Sequence, residues 1–372
     1  MIWSLLPFWA GGGTTAVAHK KPRKSLLVAL TLLFAAFFSV WCYFWRKRRE
    51  IWQRIVVFAL REREKSREDD QLHLETRFGG RAACNVVPSV PNFRDFSCAD
   101  AADPLAERTK LRTRSGQRLQ SGRIFRSSNL HAASLSEADL KKLKSKTGFA
   151  KVLDLRNPNE RREDGPKCRD LVGERNNLYV SITPLTLLAS LVDVPTQIRL
   201  TLIGTLRPSS EDMARLAQEI IVKNCNLLGL RGLYLLTLEY NQKMVLRVMQ
   251  VLTRESSAVV VQCALGKDAS GLIIALLMVA LDVAEEDIIY SYQMSSSLLN
   301  QEYCLRKREA INRQLDGDFF TGSSPKVIEA ILLFLKDQYG SPMAYLDKIG
   351  FTSVWRARLE AKMLESKAGT SS

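Results

Sequence analysis

Histidine is the scarcest chemical resource of this chain, with three residues in 372, and none of the seven cysteines stands in a Cys-x-x-Cys spacing. That stock argues against a zinc site, whose ligands recur at short fixed intervals. The odd cysteine count and wide scatter also argue against a disulfide framework and for a reducing compartment. No internal repeat is visible, and low complexity is confined to the short run Gly11-Gly12-Gly13. Acidic residues are few where basic ones crowd. The formal net charge is +15 and the pI about 9.6, with the excess gathered in the first third around a hydrophobic segment. Attraction to a membrane surface explains that placement better than nucleic acid does, so no nucleic-acid partner is expected. The hydrophobic share of 46% provides ample material for a core, which excludes a disordered chain.

The one long uncharged stretch runs from Ser25 to Trp45. As a helix it is long enough to cross a hydrocarbon layer of roughly 30 Å, and a single membrane span is expected there. Basic clusters flank it at Lys20 to Lys24 and Arg46 to Arg49, and Trp41, Tyr43 and Trp45 gather where the interface would lie. The apolar run is too long for a cleaved signal peptide and no clear small-residue cleavage site follows it. Further positive charge at Arg54, Arg61, Arg63 and Lys65 places the bulk of the chain on the cytosolic side. The basic, acid-poor N-terminus also fits an organelle-targeting arrangement, so an organelle membrane stays open. The organisation read from these features is a basic segment over 1–24, the transmembrane helix over 25–45, a charged helical stalk over 46–83, a folded domain over 84–362 and a disordered tail over 363–372.

Within the folded part, Ser134 or Ser136 with Glu137 caps a short helix reaching Leu143, and Lys151–Leu155 and Leu178–Ile182 read as buried strands. A long helical region spans Leu233 to Thr253. Further helices are expected over Gly271–Val283, Glu285–Met294 and Lys326–Leu335. Strands alternating with helices imply an α/β layer fold, a central sheet flanked by helices, with its site at the carboxyl edge of the sheet. His73 and His131 show no partner pattern and read as surface or loop residues, and Arg94 with Asp95 reads as a structural ion pair near the cleft entrance, with a direct substrate role as the alternative.

The most informative segment is Val259-Val260-Val261-Gln262-Cys263-Ala264-Leu265-Gly266-Lys267-Asp268-Ala269-Ser270-Gly271. An apolar strand enters a glycine-containing loop that starts with cysteine and opens a helix. Backbone N–H groups of such a loop converge on one point, and the helix adds the positive end of its dipole. A thiol placed there is favoured as thiolate.

Cys-x-x-Gly-Lys-Asp-x-Ser-Gly after a strand resembles the phosphate-binding loop of the cysteine-dependent protein tyrosine phosphatases, in particular the branch typified by mycobacterial secreted tyrosine and lipid phosphatases. Four other segments are similar to that branch in the same order: Asn92-Phe93-Arg94-Asp95, Gly122 through Arg126-Ser127, Asp154-Leu155-Arg156 with Glu160, and Tyr339-Gly340-Ser341 followed by Tyr345-Leu346. The resemblance implies a tyrosine-phosphatase-like sheet and a metal-free, cofactor-free reaction. Cys263 would attack phosphorus, and Ser270 would stabilise its thiolate. The loop from Ala264, Leu265, Gly266 and Lys267 to Ala269 would cradle the phosphoryl oxygens, with Lys267 adding charge. Asp268 or Asp154 would protonate the leaving oxygen.

Two positions depart from the family pattern. Ala269 stands where the family places its arginine, and Gln262 where it has histidine. Arginine offers a planar fork matched to phosphate, and losing such donors lowers rates by roughly 10² to 10⁵. The resemblance places Arg126 and Arg156 on segments lining the same cleft, where they could compensate. The reading is therefore a membrane-anchored family member with an impaired loop. A slow phosphatase acting on phosphoproteins or phosphoinositides, or a nonenzymatic adaptor, are the alternatives.

Overall fold

The computed structural model describes residues 39, 43, 46–61, 86–87, 89–98, 110–132, 135–162, 167–182, 210–299 and 322–366. Two units, Met1–Glu50 and Ile51–Ser372, are distinguished. In the first, residues 46–50 are helical. The expected membrane span lies outside the described residues except for Ser39 and Tyr43. Among the described residues, no helix is long and apolar enough to cross a membrane.

The second unit is built on a mixed sheet of five strands: β1 (Arg94–Asp95), β2 (Ile124–Ser127), β3 (Lys151–Asp154), β4 (Asn177–Tyr179) and β5 (Val259–Gln262). Their order is β1-β2-β5-β3-β4, with β1 antiparallel to β2 and the other pairings parallel. The central strand β5 is buried along its whole length, which accounts for its unbroken valine run: both faces of a parallel sheet are covered by helices. The pleat sorts the apolar residues. Ile124, Leu153, Val259 and Val261 join the larger core, whereas Phe125, Val152 and Val260 join a second core with Leu140, Leu143 and Phe149.

Register brings Ser127, Gln262 and Asp154 into one row at the carboxyl ends of β2, β5 and β3. Cys263 leaves the sheet there, and the helix Ala269–Ala280 returns from the loop fully enclosed from Ser270 onward. Strand ends in open α/β sheets are where ligands bind.

Several elements differ from the sequence expectation. The helical region expected over Leu233–Thr253 is two helices, Ser210–Tyr240 and Gln242–Arg254. Asn241 interrupts it and donates from Nδ2 to the Ile182 carbonyl at 2.9 Å. Strand β4 ends at Tyr179, although Val180 and Ile182 beyond it stay buried. The expected capped helix is Glu137–Thr147, with Ser136 accepting from the Asp139 N–H and Gly148 closing it in the left-handed conformation.

Residues 51–61 of the expected stalk pack on the domain. Ile55 is fully buried in the larger core, Phe58 meets Phe334 edge-on at 5.3 Å, and Arg54 donates to Gln338 at 2.6 Å. Their apolar residues repeat at helical spacing and so present one face to the body. Attachment also continues past residue 363: Leu364 bridges Leu119, and the Glu365 N–H donates to the Arg118 carbonyl at 3.0 Å. The tail expected from 363 therefore starts as part of the fold.

Candidate functional site

Cys263 is buried, and its Sγ lies 3.3 Å from the Ser270 Oγ across the loop. The loop between them is fastened from behind. The Ala264 carbonyl accepts from the Asn129 N–H at 3.4 Å, the Leu265 carbonyl from Asn92 Nδ2 at 3.0 Å, and the Gly266 carbonyl from Arg126 Nε and Nη2 at 3.1 and 2.8 Å. Arg126 Nη2 also reaches the Lys267 carbonyl at 3.3 Å. In a planar trans peptide the C=O and the next N–H point in opposite directions. Four carbonyls drawn outward thus turn the N–H groups of Leu265, Gly266, Lys267 and Asp268 inward, together with the N-terminus of the helix that follows. Amides directed in this way are what an anion cradle requires.

Glycine is required at 266. Its φ is +65°, and an added Cβ would meet the Ser127 carbonyl carbon at 2.4 Å and oxygen at 2.5 Å. The loop rests directly on the backbone of the segment that follows β2. Asn92 also holds a left-handed conformation, with φ of 61°, which asparagine tolerates better than most residues.

The expected site residues separate into those the fold brings to the loop and those it engages elsewhere. Arg126, anticipated as a phosphate ligand, grips the outer side of the loop instead, because strand β2 delivers it behind Gly266 and Lys267. Burial pushes its guanidinium down to about 10, opposed chiefly by the field of Cys263. Arg156 is directed to Asp154: its Nη2 donates to Oδ2 at 2.6 Å and its Nε to both oxygens at 3.0 and 3.2 Å. Both carboxylate oxygens of Asp154 are therefore engaged in a buried pair. Asp268, with a third of its side chain exposed, is the more accessible acid candidate and accepts from the Tyr234 hydroxyl at 2.7 Å. The Lys267 ammonium donates to the Gly322 carbonyl at 2.9 Å and lies 3.5 Å from Asp268 Oδ1. Ala269 packs a methyl group against the core.

Arg94 and Asp95 do not pair with each other, because neighbours on a strand point to opposite faces. Arg94 bonds to Asn92 Oδ1, to the Ser291 carbonyl and to Ser295 Oγ, whereas Asp95 accepts from Ser97 and from the Gly122 N–H. The reciprocal bonds of Asn157 and Glu160 form a capping box at the helix Pro158–Arg162, and burial pushes the Glu160 carboxyl up.

His131 lies in a loop, as one of the two readings has it, but it is buried rather than on the surface, and its Nδ1 lies 2.8 Å from Gln262 Nε2 and its Nε2 3.0 Å from Asn177 Oδ1. Gln262 also accepts from the Leu130 N–H. An Nε2–H tautomer satisfies both of these side-chain partners, since the amide of Gln262 then donates to Nδ1. His73 lies outside the described residues. Asn129, His131, Tyr234 and Ser295 were not anticipated at the site. Ser295 directly follows the helix expected over Glu285–Met294, and Tyr292 of that helix closes over Gly271. Among the described residues no cluster of histidine, cysteine and acidic side chains could hold a metal ion.

A cysteine at the carboxyl end of the central strand, a hydroxyl facing it and a ring of inward amides match one further finding. The model of the tyrosine phosphatase family fits residues 86–365. No curated protein matches the chain. The family match covers well over half of the 372 residues and contains the strands, the loop and the helices that frame it, so the chain belongs to the tyrosine phosphatase family.

Proposed function

We propose that this chain is a membrane-anchored family member whose Cys263 loop binds phosphate esters but hydrolyses them poorly or not at all. The observation that carries the reading is the pairing of four outward-held loop carbonyls with a methyl group at Ala269. The amides supply a binding site for a tetrahedral oxyanion. No guanidinium extends from residue 269 to follow charge onto the equatorial oxygens as the ester bond breaks. The Gly266-Lys267-Asp268 core of the loop supports placement near the branch typified by mycobacterial secreted tyrosine and lipid phosphatases.

In a competent loop the thiolate forms an S–P bond as the P–O ester bond breaks, an acid protonates the departing oxygen, and water then hydrolyses the phosphocysteine. Here Cys263, Ser270 and Asp268 stand ready for those roles, and transition-state stabilisation is what falls short. The uncharged stretch Ser25–Trp45 with its basic flanks supports a single span with the domain on the cytosolic side. Phosphoproteins or phosphoinositides at that membrane are the ligand class.

Hydrolysis of a generic aryl phosphate tests the reading. Wild type should show little or no turnover, and Ala269→Arg should gain roughly 10² to 10⁵ in rate, lost again when Cys263→Ser is added. Brisk wild-type turnover abolished by Cys263→Ser would establish an active enzyme. No gain in Ala269→Arg, with no oxyanion binding by either form, would favour an adaptor. Protease protection in intact membranes, followed with antibodies to each end, tests the anchor: protection of the C-terminal epitope from a cytosolic protease would reverse the orientation.

A further inference from the structure

Behind the loop lie two buried arginines whose hydrogen-bond partners are all uncharged. Arg126 donates to the carbonyls of Gly266 and Lys267, and Arg94 to Asn92 Oδ1 and the Ser291 carbonyl. Their Nη2 atoms converge on one oxygen, Ser295 Oγ, at 3.1 Å from Arg94 and 3.3 Å from Arg126. Both side chains are almost completely shielded from water. A buried cation bonded only to neutral dipoles costs free energy unless a counter-charge lies within reach of its field. Two such cations sharing one acceptor also repel each other.

The charged and titratable groups around them define where that counter-charge belongs. Lys267 on the loop is a third buried cation. Asp268 is bonded to Tyr234 and lies beside Lys267. Tyr234 from the helix Ser210–Tyr240 and Tyr292 from the helix Glu285–Leu298 meet hydroxyl to hydroxyl at 3.1 Å. The field of Cys98 acts on Arg94, and that of Cys263 on Arg126. The counter-charge to this surplus belongs on the inner face of the loop, across the peptides whose carbonyls Arg126 holds, where a thiolate and an oxyanion would sit.

We propose that Arg94 is a positioning residue that strengthens oxyanion binding from behind the loop: through Ser295 and Arg126 it holds a second positive charge against the cradle that Ala269 leaves without its own. The proposal rests on the reading of the Cys263 loop as an oxyanion site. It gives Arg94 a role that needs no contact with the ligand. It also separates two jobs that one loop arginine would combine, attraction of the anion and geometric grip on it. The rear arginines supply the first and cannot supply the second.

The test uses the full chain in detergent, with tungstate as the ligand and calorimetry as the readout. Arg94→Gln keeps hydrogen-bonding capacity and removes charge, and Arg94→Lys keeps charge. Tungstate affinity should fall about 10-fold or more in Arg94→Gln, the size expected for one charge acting over several ångströms at an intermediate dielectric. Arg94→Lys should retain affinity between that variant and wild type. The rate of Cys263 alkylation by iodoacetamide at pH 7, followed by peptide mass spectrometry, should follow the same order. Equal affinity and alkylation in Arg94→Gln and wild type would overturn the proposal, as would equal losses in the Gln and Lys variants, which would mark Arg94 as structural only. Should Arg94→Gln fail to fold, Ser295→Ala decides by the same two readouts, with weaker tungstate binding expected and unchanged binding contrary. Absence of tungstate binding by wild type would remove the cradle reading itself, and the alkylation series would then decide the role of Arg94 alone.

Discussion

The two halves of the Cys263 loop are built on different terms. From Ala264 to Lys267 each carbonyl is met from behind by Asn129, Asn92 or Arg126, and Gly266 lies flat on the Ser127 backbone. From Asp268 to Ser270 the side chains face a tyrosine, the core and the thiol, and none carries a guanidinium. The first half has what binding requires, amides fixed in direction before the ligand arrives. The second half lacks the group whose contribution is greatest as charge develops. On the proposed reading, binding and turnover are separable here, and the place where they part is a single side chain.

The change with the largest expected effect addresses the second half: Ala269→Arg should raise aryl phosphate turnover by roughly 10² to 10⁵ while altering oxyanion affinity far less. Equal gains in both would erase the distinction between the halves. The first half is broken most severely by Gly266→Ala, which forces a methyl group into backbone at a left-handed φ. A loss of about 3 kcal/mol in urea denaturation, with oxyanion binding abolished, is expected. Asn92→Ala withdraws one rear donor and leaves the Leu265 carbonyl buried without it. About 2 kcal/mol of stability and part of the oxyanion affinity should go together, and a stable variant with unchanged affinity would show that the rear bonds do not orient the amides.

The smallest effect is a contrast among thiols. Burial pushes Cys168 up to about 12 and Cys225 up to about 11, so both stay protonated at pH 7 to 9 and should resist iodoacetamide throughout. Their raised values also mean that the native state retains protons which the unfolded chain releases above its ordinary thiol value of 9.0. Their contribution to stability accordingly declines as pH rises from there toward 11 and 12. Cys263, alone among these three in facing the cradle, should be the one alkylated. Parallel labelling of all three would place it in an ordinary core environment.

Much of this arrangement is legible in the sequence because it is local. The valine run, Gly266 and the apolar stretch after Ser270 announce a buried strand, a tight loop and an enclosed helix without reference to anything distant. What escaped depends on partners far along the chain. His131 acquires its role from Gln262, 131 residues away, and from Asn177, 46 away. The break at Asn241 leaves the apolar periodicity of its helices intact and is held by a bond to the Ile182 carbonyl, 59 residues earlier. The resemblance draws Arg126 and Arg156 to the cleft region, but the direction each guanidinium takes follows from strand register and the carboxylate of Asp154, which motif spacing does not encode. Ile55 likewise reads as one apolar residue of a charged helix until Phe334 and the domain core are placed beside that helix.

The most direct test of the cradle is a crystal structure of the protein soaked in tungstate. The account predicts one strong tungsten peak beside Cys263 Sγ, within hydrogen-bonding distance of the N–H groups of Leu265, Gly266, Lys267 and Asp268, with the four carbonyls still bonded to Asn129, Asn92 and Arg126. A loop free of tungsten, with those amides turned away from a common centre, would contradict it.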